Sequence, residues 1–109
     1  MIAHSWTDIS NEAFTEEAIR KRSPPEEGYR LFPNRYGAGI KFLDNLARPS
    51  RVYVLEGSCT YRIGADVVLV NACEYIDLLP GQYGFEVLGT SPVRLIAVYQ
   101  VPELVRKVP

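Results

Sequence analysis

Apolar and polar positions change their rhythm near Pro33. Upstream, 10–22 reads "SNEAFTEEAIRKR" and is the one helix-like run. Thr15 is placed to cap it, with Glu16 and Glu17 in the first turn and Arg20, Lys21 and Arg22 in the last. That order of charge complements the helix dipole. Pro24 and Pro25 end the run. An extended arm is the alternative for so short a segment, and its charge blocks predict a solvated face.

Downstream, short runs rich in valine, isoleucine and tyrosine alternate with turn residues, as a pleated sheet prefers. The runs are 36–43, 51–57, 58–64, 66–70, 74–79, 83–89 and 93–101. The segment 44–50, "DNLARPS", is a loop; "PGQ" at 80–82 and "TSP" at 90–92 are turns. Strand-length runs with a turn about every 8–12 residues predict an all-β sandwich or barrel. Two buried sheet faces in a short chain make a jelly-roll closure economical. The predicted organisation is a single domain, with an amino-terminal arm or short helix over 1–29 and a β-barrel over 30–109.

Composition narrows the function classes. The chain has 109 residues, enough for one core. Its net charge of −1 offers no basic excess for a phosphate backbone, so nucleic acid is not expected as a partner. No apolar run approaches the ~20 residues of a membrane helix. The opening "MIAHSWTDISNEAF" lacks the basic and apolar segments of a secretory signal, and a cytoplasmic location is expected. Cys59 and Cys73 form no CxxC pair; both read as small buried hydrophobes, and a cytosolic setting disfavours a disulfide. The single histidine, His4, lies far up the arm and reads as a surface residue.

Two stretches carry a resemblance. "YVLEG" at 53–57, followed by a strand and Gly64, and "LPGQYGFEV" at 79–87 resemble the two motifs of the cupin superfamily, the small RmlC-like β-barrels. The resemblance covers about 36–101 and implies a cupin-type jelly-roll barrel. It also implies where a metal would be held. With Gly57 as the closing glycine of the first motif, the glutamate slot falls at Ser50. The histidine slots fall at Asp44 and Leu46, or at Leu43 and Asn45. With Gly81 as the second glycine of the second motif, Leu79 takes the proline slot and Cys73 the first glycine slot. The remaining histidine slot is Gly84 and the asparagine slot Leu88. None of the four metal-ligand slots keeps its family residue; at best Asp44 or Asn45 offers an oxygen, whereas iron, copper, nickel or zinc sites rely on nitrogen or sulfur donors. The expectation is a barrel without the usual metal and without another cofactor.

If Gly84 points inward, strand alternation turns Glu86 and Leu88 inward too, and Tyr83, Phe85 and Val87 outward. Glu86 then shares the barrel with Lys41, Arg51, Tyr53, Tyr61 and Tyr99 as ligand-binding candidates, Gly84 leaving room beside it. Arginine grips carboxylate or phosphate, and tyrosine offers a flat body with one polar end. Arg35 is placed to reach the barrel mouth or to pair with an acid. The expected function is binding of a small organic ligand in the barrel. The alternatives are a metal-independent isomerase or epimerase, with Glu86 as base and Tyr53 or Tyr61 as acid, and a metal enzyme using Asp44, Cys59 or Glu86. The resemblance also implies a homodimer, for which Tyr83, Phe85 and Val87 would supply an apolar face.

Overall fold

The computed structural model describes residues 1–102; positions 103–109, the end of the expected barrel segment, lie outside the described residues. Among the described residues nine strands form two antiparallel sheets. They are β1 (Ala3–Ser5), β2 (Tyr29–Tyr36), β3 (Lys41–Leu46), β4 (Ser50–Glu56), β5 (Ser58–Ile63), β6 (Asp66–Asn71), β7 (Glu74–Leu78), β8 (Gly81–Val87) and β9 (Val93–Gln100). Among the described residues one α-helix, α1 (Glu16–Arg22), precedes β2, with short 3-10 turns at Trp6–Asp8 and Pro25–Glu27. The first sheet runs β1-β7-β4-β9-β2 and the second β3-β8-β5-β6.

The two sheets pack face to face over one apolar core. Val52 and Val54 of β4, Ile76 and Leu78 of β7, and Val93 and Leu95 of β9 meet Cys59 and Tyr61 of β5 and Val70 of β6. Tyr83, Phe85 and Val87 of β8 complete it. The expected orientation of β8 is therefore reversed. Those three side chains are buried between the sheets, while Gly84 and Glu86 lie on the outer face. The pleat allows two assignments and burial decides between them: turning the large apolar set outward would leave three side chains in water, at roughly 1.5–3 kcal/mol each. With them inside, that face is not the dimer surface.

The five-stranded sheet is covered on its outer side as well. Trp6, Ala18 and Ile19 pack on Tyr53, Tyr75, Ile96 and Val98. This explains why β4 and β9 read as almost unbroken apolar runs rather than alternating ones. The arm is held by specific bonds. The Trp6 amide donates to the Cys73 carbonyl at 2.9 Å, and the Trp6 indole donates to the Glu12 carbonyl at 2.8 Å. The Thr15 hydroxyl accepts from the Ala18 amide at 3.1 Å, capping α1 as predicted. Helix and extended arm are both present, because β1 pairs with β7.

Two other expectations shift. The run 36–43 is not one strand: it is broken by a turn at Gly37–Ile40, where Gly39 has φ of 80°, and β3 extends through Leu46 into the expected loop. β2 begins at Tyr29, ahead of the first strand read from the sequence. Cys59 is buried as expected, but Cys73 is exposed, at φ of 69° in the β6–β7 turn. Both thiols are free.

Candidate functional site

The barrel interior is filled with rings. Phe85 lies 4.8 Å from Phe42, 5.2 Å from Tyr61 and 5.3 Å from Tyr36, centroid to centroid, and Tyr61 stands edge-on to Tyr83 at 6.4 Å. The Tyr83 hydroxyl donates to the Leu79 carbonyl at 2.8 Å. Asp44 of β3 shares the inward face of Phe42 and Leu46, half-buried, and burial raises its carboxyl above the ordinary value. Burial, then the Asp44 charge, raises the Tyr36 phenol. Tyr61 is raised well above its usual value by burial first, then by Cys59, Asp44 and Tyr36.

These residues do not fit the metal that the cupin resemblance implies. The inward side chains of β3 and β8 are Phe42, Asp44, Leu46, Tyr83, Phe85 and Val87, and their only oxygen donors are Asp44 and the Tyr83 phenol, which is committed to the Leu79 carbonyl. Among the described residues no three histidine, cysteine, aspartate or glutamate side chains converge. Of the unorthodox ligands considered, Asp44 and Cys59 face the interior and Glu86 the outside of the same sheet.

The seven ligand-binding candidates fall in three places. Tyr61 is in the core at 2 % exposure. Lys41, Gly84 and Glu86 share a shallow groove of about 280 Å³ on the outer face of the four-stranded sheet, beside Leu43, Thr60 and Arg62, with Lys41 Nζ 3.9 Å from Glu86. Arg51, Tyr53 and Tyr99 line a cleft of about 410 Å³. Glu86 therefore meets neither Tyr53 nor Tyr61, and the proposed acid–base pair is not assembled. Arg35 stands on β2 beside a separate hollow with Arg94, and His4 stacks on Tyr75 at 5.2 Å.

The cleft lies where β4 begins and β7 and β9 end. The pairs Ser50↔Leu78 and Ser50↔Tyr99 set its floor. Arg22 and Ser23, at the end of α1, form one wall, and Tyr29 opens β2 at another. Arg51 Nε and Nη2 donate to the two carboxylate oxygens of Asp77 at 2.7 and 3.1 Å. The guanidinium lies 4.3 Å from the Tyr75 centroid and 5.9 Å from that of Tyr53. Burial works against its charge, but hydrogen bonds to Asp77 and Tyr53 outweigh that and hold its pKa above the ordinary value. Arg22 Nη1 donates to the Ile9 carbonyl at 3.0 Å, its guanidinium 5.9 Å from the Trp6 centroid. A rigid cationic and aromatic wall of this kind suits a flat or anionic small molecule.

A second hollow, of about 260 Å³, adjoins the cleft through Ser50 and Tyr99, and Arg48 lines it. Sequence reasoning missed Arg22, Tyr29, Arg48 and Asp77. Arg48 lay in the stretch read as loop, and Tyr29 preceded the first strand recognised.

No family profile and no curated protein matches the sequence. Solved structures do match in fold. The chain is similar to the Cupin_2 domain of an XRE family transcriptional regulator from Enterobacter cloacae, at 11% identity over 73% of this chain and 88% of that one, with a TM-score of 0.63. An HTH_3 family transcriptional regulator from Vibrio cholerae is 13% identical over 73% of this chain, which spans 47% of that one, with a TM-score of 0.62. The cupin domain of Schizosaccharomyces pombe Cnp3 is 16% identical over 75% of this chain and 59% of that one, with a TM-score of 0.62. Two antiparallel sheets in this order, closing over the ring-filled interior, give the chain a cupin-like fold.

Proposed function

We propose that this protein is a small cupin-fold module that binds a small organic ligand without a metal, in the cleft at the end of the five-stranded sheet rather than inside the barrel. The cleft carries the proposal: it gathers Arg51, Tyr53 and Tyr99 with Tyr29 and Arg22 around about 410 Å³, whereas aromatic rings occupy the barrel interior. Binding is favoured over isomerase chemistry because Glu86 stands on the opposite sheet from Tyr53 and on the opposite face from Tyr61. A sensing role is the natural use of such a module, and two of the similar structures come from transcriptional regulators.

The test is thermal unfolding of the untagged, chelator-treated protein across a library of small polar organic compounds. A ligand that binds only the folded state raises the midpoint in proportion to its occupancy. We expect stabilising compounds without added metal, and loss of their effect in Tyr99→Ala. Stabilisation that needs iron, nickel, zinc or copper, or that survives Tyr99→Ala and Tyr29→Ala alike, overturns the proposal.

A further inference from the structure

Among the described residues, three arginines stand around the cleft and its adjoining hollow, and two of them are engaged. Arg51 holds both oxygens of Asp77, and Arg22 donates to the Ile9 carbonyl while lying near the Trp6 ring. Arg48 differs. Its Nη1 is closed off from solvent and has no hydrogen-bond partner among the described residues. Its guanidinium carbon lies 5.6 Å from the centroid of Tyr99, a residue common to the hollow and the cleft. Tyr99 is itself braced by Phe32, stacked at 5.4 Å with an 18° interplanar angle. Ser50, the other residue common to both hollows, donates from its hydroxyl to the Arg48 carbonyl at 3.3 Å.

A buried cationic N–H with nothing to donate to is costly, and such groups mark a missing partner. The partner that suits a planar guanidinium is a carboxylate or phosphate oxygen, through a charge-assisted bond. We infer that Arg48 is an oxyanion subsite: the ligand of the cleft carries a carboxylate or phosphate that reaches around the start of β4, past Ser50, to Arg48 and the Tyr99 ring, while its flat body lies against Tyr29 above the buried Tyr53. This rests on the cleft being the binding site. It specifies the ligand's class as a small planar acid, which the cleft alone does not.

The test compares benzoate, phenyl phosphate, inorganic phosphate and the neutral benzamide by nitrogen-15 NMR of the full chain, following the Arg48 Nε–Hε signal and the cleft signals of Tyr53 and Val98. Benzoate or phenyl phosphate is expected to move both sets saturably, with benzamide at least tenfold weaker. The two acids together separate a carboxylate-selective from a phosphate-selective subsite. Arg48→Gln should weaken acid binding at least tenfold and leave benzamide unchanged, and Arg48→Lys should fall between, since it keeps the charge and loses the planar fork. If acid and amide move the cleft signals equally and Arg48→Gln changes neither, the subsite is overturned and the cleft stands. Acids and inorganic phosphate that move Arg48 alone, with the cleft signals still, overturn the inference and the cleft together, leaving Arg48 an isolated anion site. Silence from both sets overturns both.

Discussion

Arg51 and Asp77 face each other across the β4–β7 ladder as a direct register pair, joined by two parallel hydrogen bonds. The pair is half open to water, so its coupling is screened. A double-mutant cycle with Arg51→Met and Asp77→Asn should give a coupling of about 1 kcal/mol. Arg51→Met should cost more than Asp77→Asn, because it also removes the cation from the Tyr75 ring. Equal single-mutant costs in urea unfolding would show that the ring contact contributes nothing.

Gly57 and Gly84 should respond oppositely to alanine. Gly57 has φ of 79°, and a Cβ there would run into the Pro92 carbonyl oxygen and crowd Val93 Cα, both of them backbone. Gly57→Ala is expected to cost roughly 3 kcal/mol. A Cβ on Gly84 meets Arg62, its side chain at 3.6 Å and its carbonyl oxygen at 4.0 Å, both ordinary contacts. Gly84→Ala should stay within about 0.5 kcal/mol. Denaturant midpoints at constant slope decide it.

That contrast marks how much of the molecule was legible beforehand. The strand runs, the Thr15 cap and the cupin barrel were readable, because alternation and turn chemistry are local. Gly57 was readable as a motif glycine without its reason, which lies in the distant Pro92. The orientation of β8 was misread because Gly84 was aligned to a ligand slot and its neighbours were made to follow. Its own side chains carried the better signal, since Tyr83, Phe85 and Val87 are the larger apolar set. The cleft was legible only in fragments. Arg51, Tyr53 and Tyr99 belong to strands far apart in sequence, and β4–β9 pairing alone brings Tyr99 to Ser50. Arg22 and Tyr29 enter through the docking of the arm, which no periodicity encodes.

The two thiols should differ sharply in reactivity. Burial pushes the Cys59 thiol up to about 12 from an ordinary value of about 9, while Cys73 is exposed. Ellman's reagent at pH 8 should therefore titrate one thiol per native chain and two after unfolding. Linkage adds a second consequence. Above pH 9 the unfolded chain loses the Cys59 proton while the folded chain keeps it, so stability should fall as pH rises from about 9 toward 12. Cys59→Ala should flatten that fall, although it loses stability at neutral pH by leaving a cavity.

Asp44 should be a net liability at neutral pH. Its carboxyl is raised by burial, so the protonated form is the one the fold favours. The contribution is fully present below the ordinary carboxylate value of about 3.8 and lost as pH climbs through the raised one. Asp44→Asn is expected to raise the unfolding midpoint at pH 7 and to leave it nearly unchanged at pH 3. A variant less stable at both pH values would mean that Asp44 has a favourable partner in its ionised form.

Trp6 and α1 decide where this barrel can be cut. The similar cupin domains match about three quarters of the chain, and a minimal barrel trimmed to begin at Tyr29 would keep every described strand but β1. It would strip the cover from Tyr53, Tyr75, Ile96 and Val98, leaving an apolar sheet face in water and inviting aggregation. It would also remove Arg22 and Ser23 from the rim of the cleft. The amino-terminal arm is thus a built-in chaperone for one face of the sheet.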